Sequence, residues 1–137
     1  MTTAPQRDQP LEIGLLAIRV SCAALFLVWS LDKIIDPEHA VLVFRVFYFA
    51  EIGQQMAIAI GVAQTAFVLA FLIGAFKTWT YGGLLLMHTV SVASTWEKLI
   101  TPYAGNRQIL FWGAVPVVAA LLLLFLVRRR DRLLSVG

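Results

Sequence analysis

The sequence predicts an all-α integral membrane protein: a four-helix up-and-down bundle with a short interfacial helix after the first span. Three observations carry that expectation. Residues 52–76, 78–96 and 108–127 contain no Asp, Glu, Lys or Arg, and residues 13–31 are interrupted only by Arg19. Each run is about as long as the ~20 apolar residues that a bilayer core requires. The chain is 60% hydrophobic and only 14% charged, with a mean hydropathy of +0.82, which fits no ordinary soluble domain. Four helices and short links use up the 137 residues, leaving no room for a second domain or a nucleotide-binding domain.

The elements follow in order. Residues 1–10, MTTAPQRDQP, read as a disordered lead-in, residues 11–127 as the four-span transmembrane domain, and residues 128–137 as a basic cytoplasmic tail. The first helix is expected over 11–31, ending at the polar cluster Asp32, Lys33 and Asp36 with Pro37 as a stop. It is longer than a signal-peptide core and no small-residue cleavage site follows it, so it reads as a retained span. Residues 38–51 are apolar but carry Glu38, Arg45 and Glu51. That segment is too short to span and suits an interfacial or re-entrant helix. The second span, about 54–76, is joined to the third by little more than Lys77 and Thr78, with Gly82 and Gly83 permitting close helix contact. Pro102 and Gly105 mark the next loop, and Pro116 is expected to kink the last span, 108–127.

Orientation comes from the cations. Of eleven Lys and Arg, four lie in the tail run RRRDR, which reads as a membrane orientation signal and not as a nucleic-acid patch. With four spans, one side holds Arg7, Lys77, Arg128, Arg129, Arg130 and Arg132, which is six; the other holds Lys33, Arg45, Lys98 and Arg107, which is four. The balance places both termini in the cytoplasm of a multi-pass inner (plasma) membrane protein. Trp29, Trp96, Tyr103 and Trp112 then fall near the outer boundary, and Trp79 and Tyr81 near the inner one.

The polar residues inside the spans are the candidates for function. A guanidinium near mid-span costs roughly 2.5–3.5 kcal/mol on insertion scales, so Arg19 needs an explanation. One reading turns it into the bundle interior, toward an anion or a quinone oxygen. The other lets it snorkel, because Glu12 lies seven residues, or about 10 Å, away along the helix. Arg19, Phe26 and Lys33 recur at steps of seven, flanked by Cys22 and Ser30, a stripe that also suits plain helix packing. Gln64 and His88 lie near the middle of the second and third spans. With Arg19 they make a polar layer for a headgroup or a proton relay, or they make interhelical hydrogen bonds worth about 0.6 kcal/mol each. The candidate ligand-binding set is therefore Arg19, Phe26, Trp29, Lys33, Gln64 and His88, with Phe26, Trp29, Lys33 and His88 expected to line a cavity open to the outer half of the membrane. No catalytic residue stands out. The outer charges Asp32, Lys33, Asp36, His39, Arg45, Glu51, Glu97, Lys98 and Arg107 form either the rim of such a site or solvated loop surface.

Several chemistries are excluded. Cys22 is the single cysteine, so self-contained dithiol–disulfide chemistry is ruled out. Two histidines at different depths argue against a metal cluster or a bis-histidine haem. Phosphate-loop and HExxH patterns are lacking. No intrinsic cofactor is expected; a quinone is the one candidate. The expected partners are the lipid bilayer and another membrane or membrane-associated protein, with no nucleic acid.

The segment IAIGVAQTAFVLAFLIGAFKTWTYGGLLLMH, with Gly61, Gln64, Gly74 and Thr78, resembles the central hairpin of the DoxX-like membrane proteins. Arg19, Phe26 and Lys33 before Pro37 resemble that family's opening helix, and the resemblance covers roughly 14–127. The family often has Glu where Gln64 stands, which weakens any role of that acid here. The resemblance implies a four-helix bundle. It also implies a small membrane subunit of a redox-associated, quinone-linked complex, or else a non-catalytic docking or assembly factor for another membrane protein. Fold alone does not choose between them.

Overall fold

The computed structural model describes residues 6–105 and 108–137. Half of the expected lead-in, residues 1–5, and the loop cation Arg107 lie outside the described residues. Those that are described form helices and turns, with no strand among them. The helices are α1 (Gln9–Ile35), α2 (Pro37–Phe47), α3 (Gln54–Leu72), α4 (Lys77–Ser94), α5 (Trp96–Ile100) and α6 (Ala114–Leu126), with 3-10 turns at Ile109–Gly113 and Arg128–Arg130.

Helix α1 outruns its expected bounds at both ends. Asp8 caps its start, accepting a hydrogen bond from the Leu11 amide, and Pro10 fits the first turn, where its missing N–H is no loss. Asp32 and Lys33 do not end the helix. It continues to Asp36, which closes α1 and caps α2 by accepting from the His39 amide at 3.2 Å, with Pro37 as the first residue of α2. Asp36-Pro37 is thus a bend between two helices. Pro116 falls in the first turn of α6, directly after a 3-10 turn, so the irregularity expected at mid-span sits at the helix start.

Helix α1 packs mainly on α3, α3 also on α4, α4 mainly on α6, and α6 on α1; α2 lies across α1 and α3. Leu15 and Ala23 of α1, Val68 and Phe71 of α3, Tyr81 and Leu84 of α4, and Leu121 and Leu124 of α6 form the buried core. Gly61 sets the α1–α3 approach: a Cβ there would lie 2.8 Å from the Ser30 carbonyl oxygen and 2.9 Å from Lys33 Cβ. Thr65 ties the same pair of helices by donating to Ser30 Oγ at 2.9 Å.

Polarity is distributed in the opposite sense to that of a soluble domain. Arg19, Ser30, Thr80, His88 and Asp131 are buried, while Val28, Leu86, Leu110 and Leu126 face outward. A surface this apolar is suited to lipid. Three segments are long and apolar enough to cross a membrane: α1, α3 and residues Ile109–Leu126. Helix α4, at 18 residues, carries Thr78, Thr80, His88, Thr89, Ser91 and Ser94 and is not among them.

Candidate functional site

The six candidate residues do not form one site. Arg19, the Phe26–His88 pair and Trp29 mark three separate places along α1, and Lys33 and Gln64 belong to none of them.

The deepest cluster gathers around Arg19, whose side chain is 0% exposed and forms an ion pair from Nη1 to Asp131 Oδ2 at 2.8 Å, with Asp131 equally buried. The Tyr81 hydroxyl donates to the same Oδ2 at 2.6 Å and lies 3.5 Å from Arg19 Nη1. Arg19 Nη2 donates to the carbonyls of Leu133 and Leu134. Lys77 donates from Nζ to the Asp131 carbonyl and, at 2.9 Å, to the Gly137 oxygen. The Val136 amide donates to the Ile73 carbonyl at 2.9 Å. Gly74, at φ +74°, leaves the space that Ser135 Oγ fills. Residues 131–137 therefore fold back over the α3–α4 turn and reach Arg19. Neither Gln64 nor His88 is a partner of Arg19. Gln64 is half-buried on α3.

The two expected readings of Arg19 each hold one half of this arrangement. The side chain is interior, and it reaches toward the end of the molecule that holds both described termini. Gln6, Arg7, Asp8, Leu11 and Glu12 share a small cleft there with Arg130 and Arg132. Burial lowers the Lys77 ammonium below its ordinary range; Asp131 opposes that shift, and Arg19 and Arg132 add to it.

At mid-depth, Phe26 and His88 meet edge to face with ring centroids 5.4 Å apart. His88, 8% exposed, donates from Nε2 to the Ala114 carbonyl at 2.8 Å. This links α4 to the start of α6. Ser91, one turn on from His88, bonds the Tyr48 hydroxyl at 2.8 Å and fastens the end of α2 to α4.

The third place is a groove of about 450 Å³ bordered by Val28, Trp29, Leu31, Asp32, Ile35 and His39. Asp32 Oδ2 and His39 Nδ1 are 2.6 Å apart across the α1–α2 bend. The groove has an apolar floor and one polar pair at its edge, the composition that a small amphiphile needs. Of the four residues expected to line a cavity, only Trp29 borders it. Lys33 instead turns its ammonium to the Trp29 carbonyl at 3.2 Å and packs its stem against Gly61.

Sequence reasoning missed Asp131, Tyr81 and Lys77 as site residues, and it named Asp32 and His39 only among the outer charges that either rim a site or are solvated loop surface. Asp32 and His39 sit seven apart across a proline, and an acid–imidazole pair over a tight bend is findable by spacing. Asp131 is the single acid in the RRRDR run, and the clue was the missing counter-ion of Arg19. No family model, curated protein or solved structure matches this chain.

Proposed function

We propose that the chain is a four-span protein of the inner membrane, a DoxX-like four-helix up-and-down bundle with both termini cytoplasmic. We further propose that it serves as a small, non-catalytic membrane subunit of a redox-associated complex and contacts a quinone. The cyclic packing of α1, α3, α4 and α6 and the shared cleft of residues 6–12 with Arg130 and Arg132 support four passes. Helix α4 is the polar pass, tolerated because His88 bonds inward to Ala114 and Thr89 bonds back to the Leu85 carbonyl of its own helix.

The observation that carries the quinone reading is the Trp29 groove. Its volume suits a small-molecule headgroup, its apolar wall suits an isoprenoid neighbour, and the Asp32–His39 pair offers hydrogen bonds to ring oxygens. The test is tryptophan fluorescence of the protein in nanodiscs, titrated with a short-chain quinone. Saturable quenching, largely lost in Trp29→Phe and weakened in His39→Ala, is the expected result. Linear quenching, the same in all three proteins, means partition into lipid and removes the reading.

The docking or assembly reading is favoured by a different observation. Phe49 is 92% exposed and Tyr103 80% exposed, both on connecting segments beyond the long helices. Aromatic residues in such positions suit a protein partner. Mild-detergent pulldown with mass spectrometry separates the two: a redox enzyme supports the first reading, an unrelated membrane client the second.

A further inference from the structure

The Arg19 cluster is not used by the proposed function, yet it holds the most heavily buried charges among the described residues. Its hydrogen bonding is uneven. Both strong contacts to Asp131 fall on Oδ2, while Oδ1 is buried without a partner, and Arg19 Nε is likewise buried and unpartnered. The guanidinium therefore grips the carboxylate through one nitrogen and leaves its Nε edge free. A bidentate grip, the stronger geometry for an oxyanion, is not made. Lys77 brings a second cation to the cluster but bonds the Asp131 main-chain carbonyl, so the carboxylate has Arg19 alone as its ion-pair partner among the described residues.

The segment that delivers Asp131 is held mainly by polar contacts. Leu134 is 84% exposed and Val136 72% exposed, so little apolar burial fastens residues 131–137. It has no regular helix beyond the 3-10 turn Arg128–Arg130. Its anchors are the ion pair, the Tyr81–Asp131 bond, four bonds from Arg19 and Lys77 to main-chain oxygens, and the Val136–Ile73 bond. A group that takes both Arg19 and Tyr81 thus takes four of these seven contacts.

We propose that Arg19, Tyr81 and Lys77 form an oxyanion-binding site at the end of the molecule shared by its termini, and that the Asp131 carboxylate is its resident, displaceable occupant. An external carboxylate or phosphate group enters the site by taking the guanidinium and the tyrosine hydroxyl from Asp131, and residues 131–137 leave the α3–α4 turn. The ligand chemistry is that of a small oxyanion, from a free anion or from the phosphate of an anionic lipid. This goes beyond the redox-subunit reading and does not depend on it, because it involves neither Trp29 nor the outer groove.

The test uses the full chain in nanodiscs, as Cys22→Ser/Val136→Cys carrying a nitroxide. In phosphatidylcholine the label is expected to be immobile, and acetate or inorganic phosphate should raise its mobile fraction saturably at constant ionic strength. A response to phosphatidylglycerol discs and not to free anions identifies a lipid headgroup as the source. Asp131→Ala, with the occupant removed, should gain thermal stability with acetate, by about 4 °C at ten times the Kd. Arg19→Gln/Asp131→Ala should gain none. If chloride acts as well as acetate, or the label on an otherwise native tail ignores free anions and anionic lipid alike, the proposal fails. That second arm decides the matter even if Asp131→Ala does not fold.

Discussion

Replacing Asp131 by alanine strips the counter-ion from a guanidinium that has no access to water. Arg19 and Asp131 are both 0% exposed and pair at 2.8 Å. Removing one partner of such a pair costs about 3–5 kcal/mol, because the other is left buried and uncompensated. Tyr81 also loses the acceptor it holds at 2.6 Å, which adds about 1 kcal/mol. The carbonyls of Leu133 and Leu134 still receive Arg19 Nη2 and offset part of the loss. The expected destabilisation is about 3 kcal/mol, read as the unfolding midpoint in mixed micelles under conditions where unfolding is reversible. Arg19→Met/Asp131→Leu removes both charges together and should lie within about 1 kcal/mol of wild type, since an apolar pair of similar volume replaces a buried ion pair at little cost. The coupling between the two sites should then exceed about 2 kcal/mol. A loss below about 1 kcal/mol in Asp131→Ala, or additive effects in the cycle, would refute the buried pair as the anchor of the C-terminal segment.

Gly61→Val should cost about 1–3 kcal/mol by overpacking, because the added atoms meet Ser30 and Lys33 of α1 within 2.9 Å; an unchanged unfolding midpoint would deny the close α1–α3 approach. His88→Phe should lose about 1 kcal/mol, the bond to Ala114, and His88→Ala more, because it also gives up the ring contact with Phe26; equal losses in the two would show that the Phe26 contact contributes nothing. Burial lowers the Lys77 pKa below its ordinary 10.5, so just under that value the unfolded chain binds the proton more tightly than the folded one. Stability should therefore rise with pH in that window, and Lys77→Met should flatten the rise. Reporter fusions at Gly137 and near Gly105 should report opposite faces of the membrane, with Gly137 cytoplasmic; signals from one face would remove the four-span reading.

The helical, membrane-suited character of the chain was legible because charge-free runs and apolar length are local properties. Helix ends were less so. Asp32 and Lys33 read as a stop, yet α1 absorbs them, since Asp32 pairs with His39 and Lys33 lies along α3. The polar stripe failed as a single site for a geometric reason. Seven residues turn an α-helix through nearly, but not fully, two turns, so the stripe drifts by about 20° per heptad. Arg19 and Phe26 both meet α4, through Tyr81 and His88, but Lys33 two heptads on from Arg19 meets Gly61 of α3. Trp29, three residues from Phe26, looks toward the α1–α2 bend. The Arg19–Asp131 pair was hidden for a different reason: its partners stand 112 residues apart, and no local pattern announces a contact of that span.

Burial of Asp131 also changes how the C-terminal charge should be counted. In sequence, RRRDR carries an acid that offsets one of its four arginines. In the structure that acid is withdrawn from the surface and matched to Arg19, a residue of the first helix. Arg128 is occupied as well, lying 4.4 Å over the Phe125 ring and donating to Thr78. Arg129, Arg130 and Arg132 remain exposed, with no carboxylate of their own run to neutralise them. Beside an anionic leaflet each would be worth about 1 kcal/mol, so the three together would favour the proposed cytoplasmic placement of this end by about 3 kcal/mol. The pairing that makes Arg19 tolerable inside the molecule thus also leaves the tail more cationic than its sequence suggests. The two effects act in one direction: they strengthen the orientation inferred from the six-to-four distribution of cations.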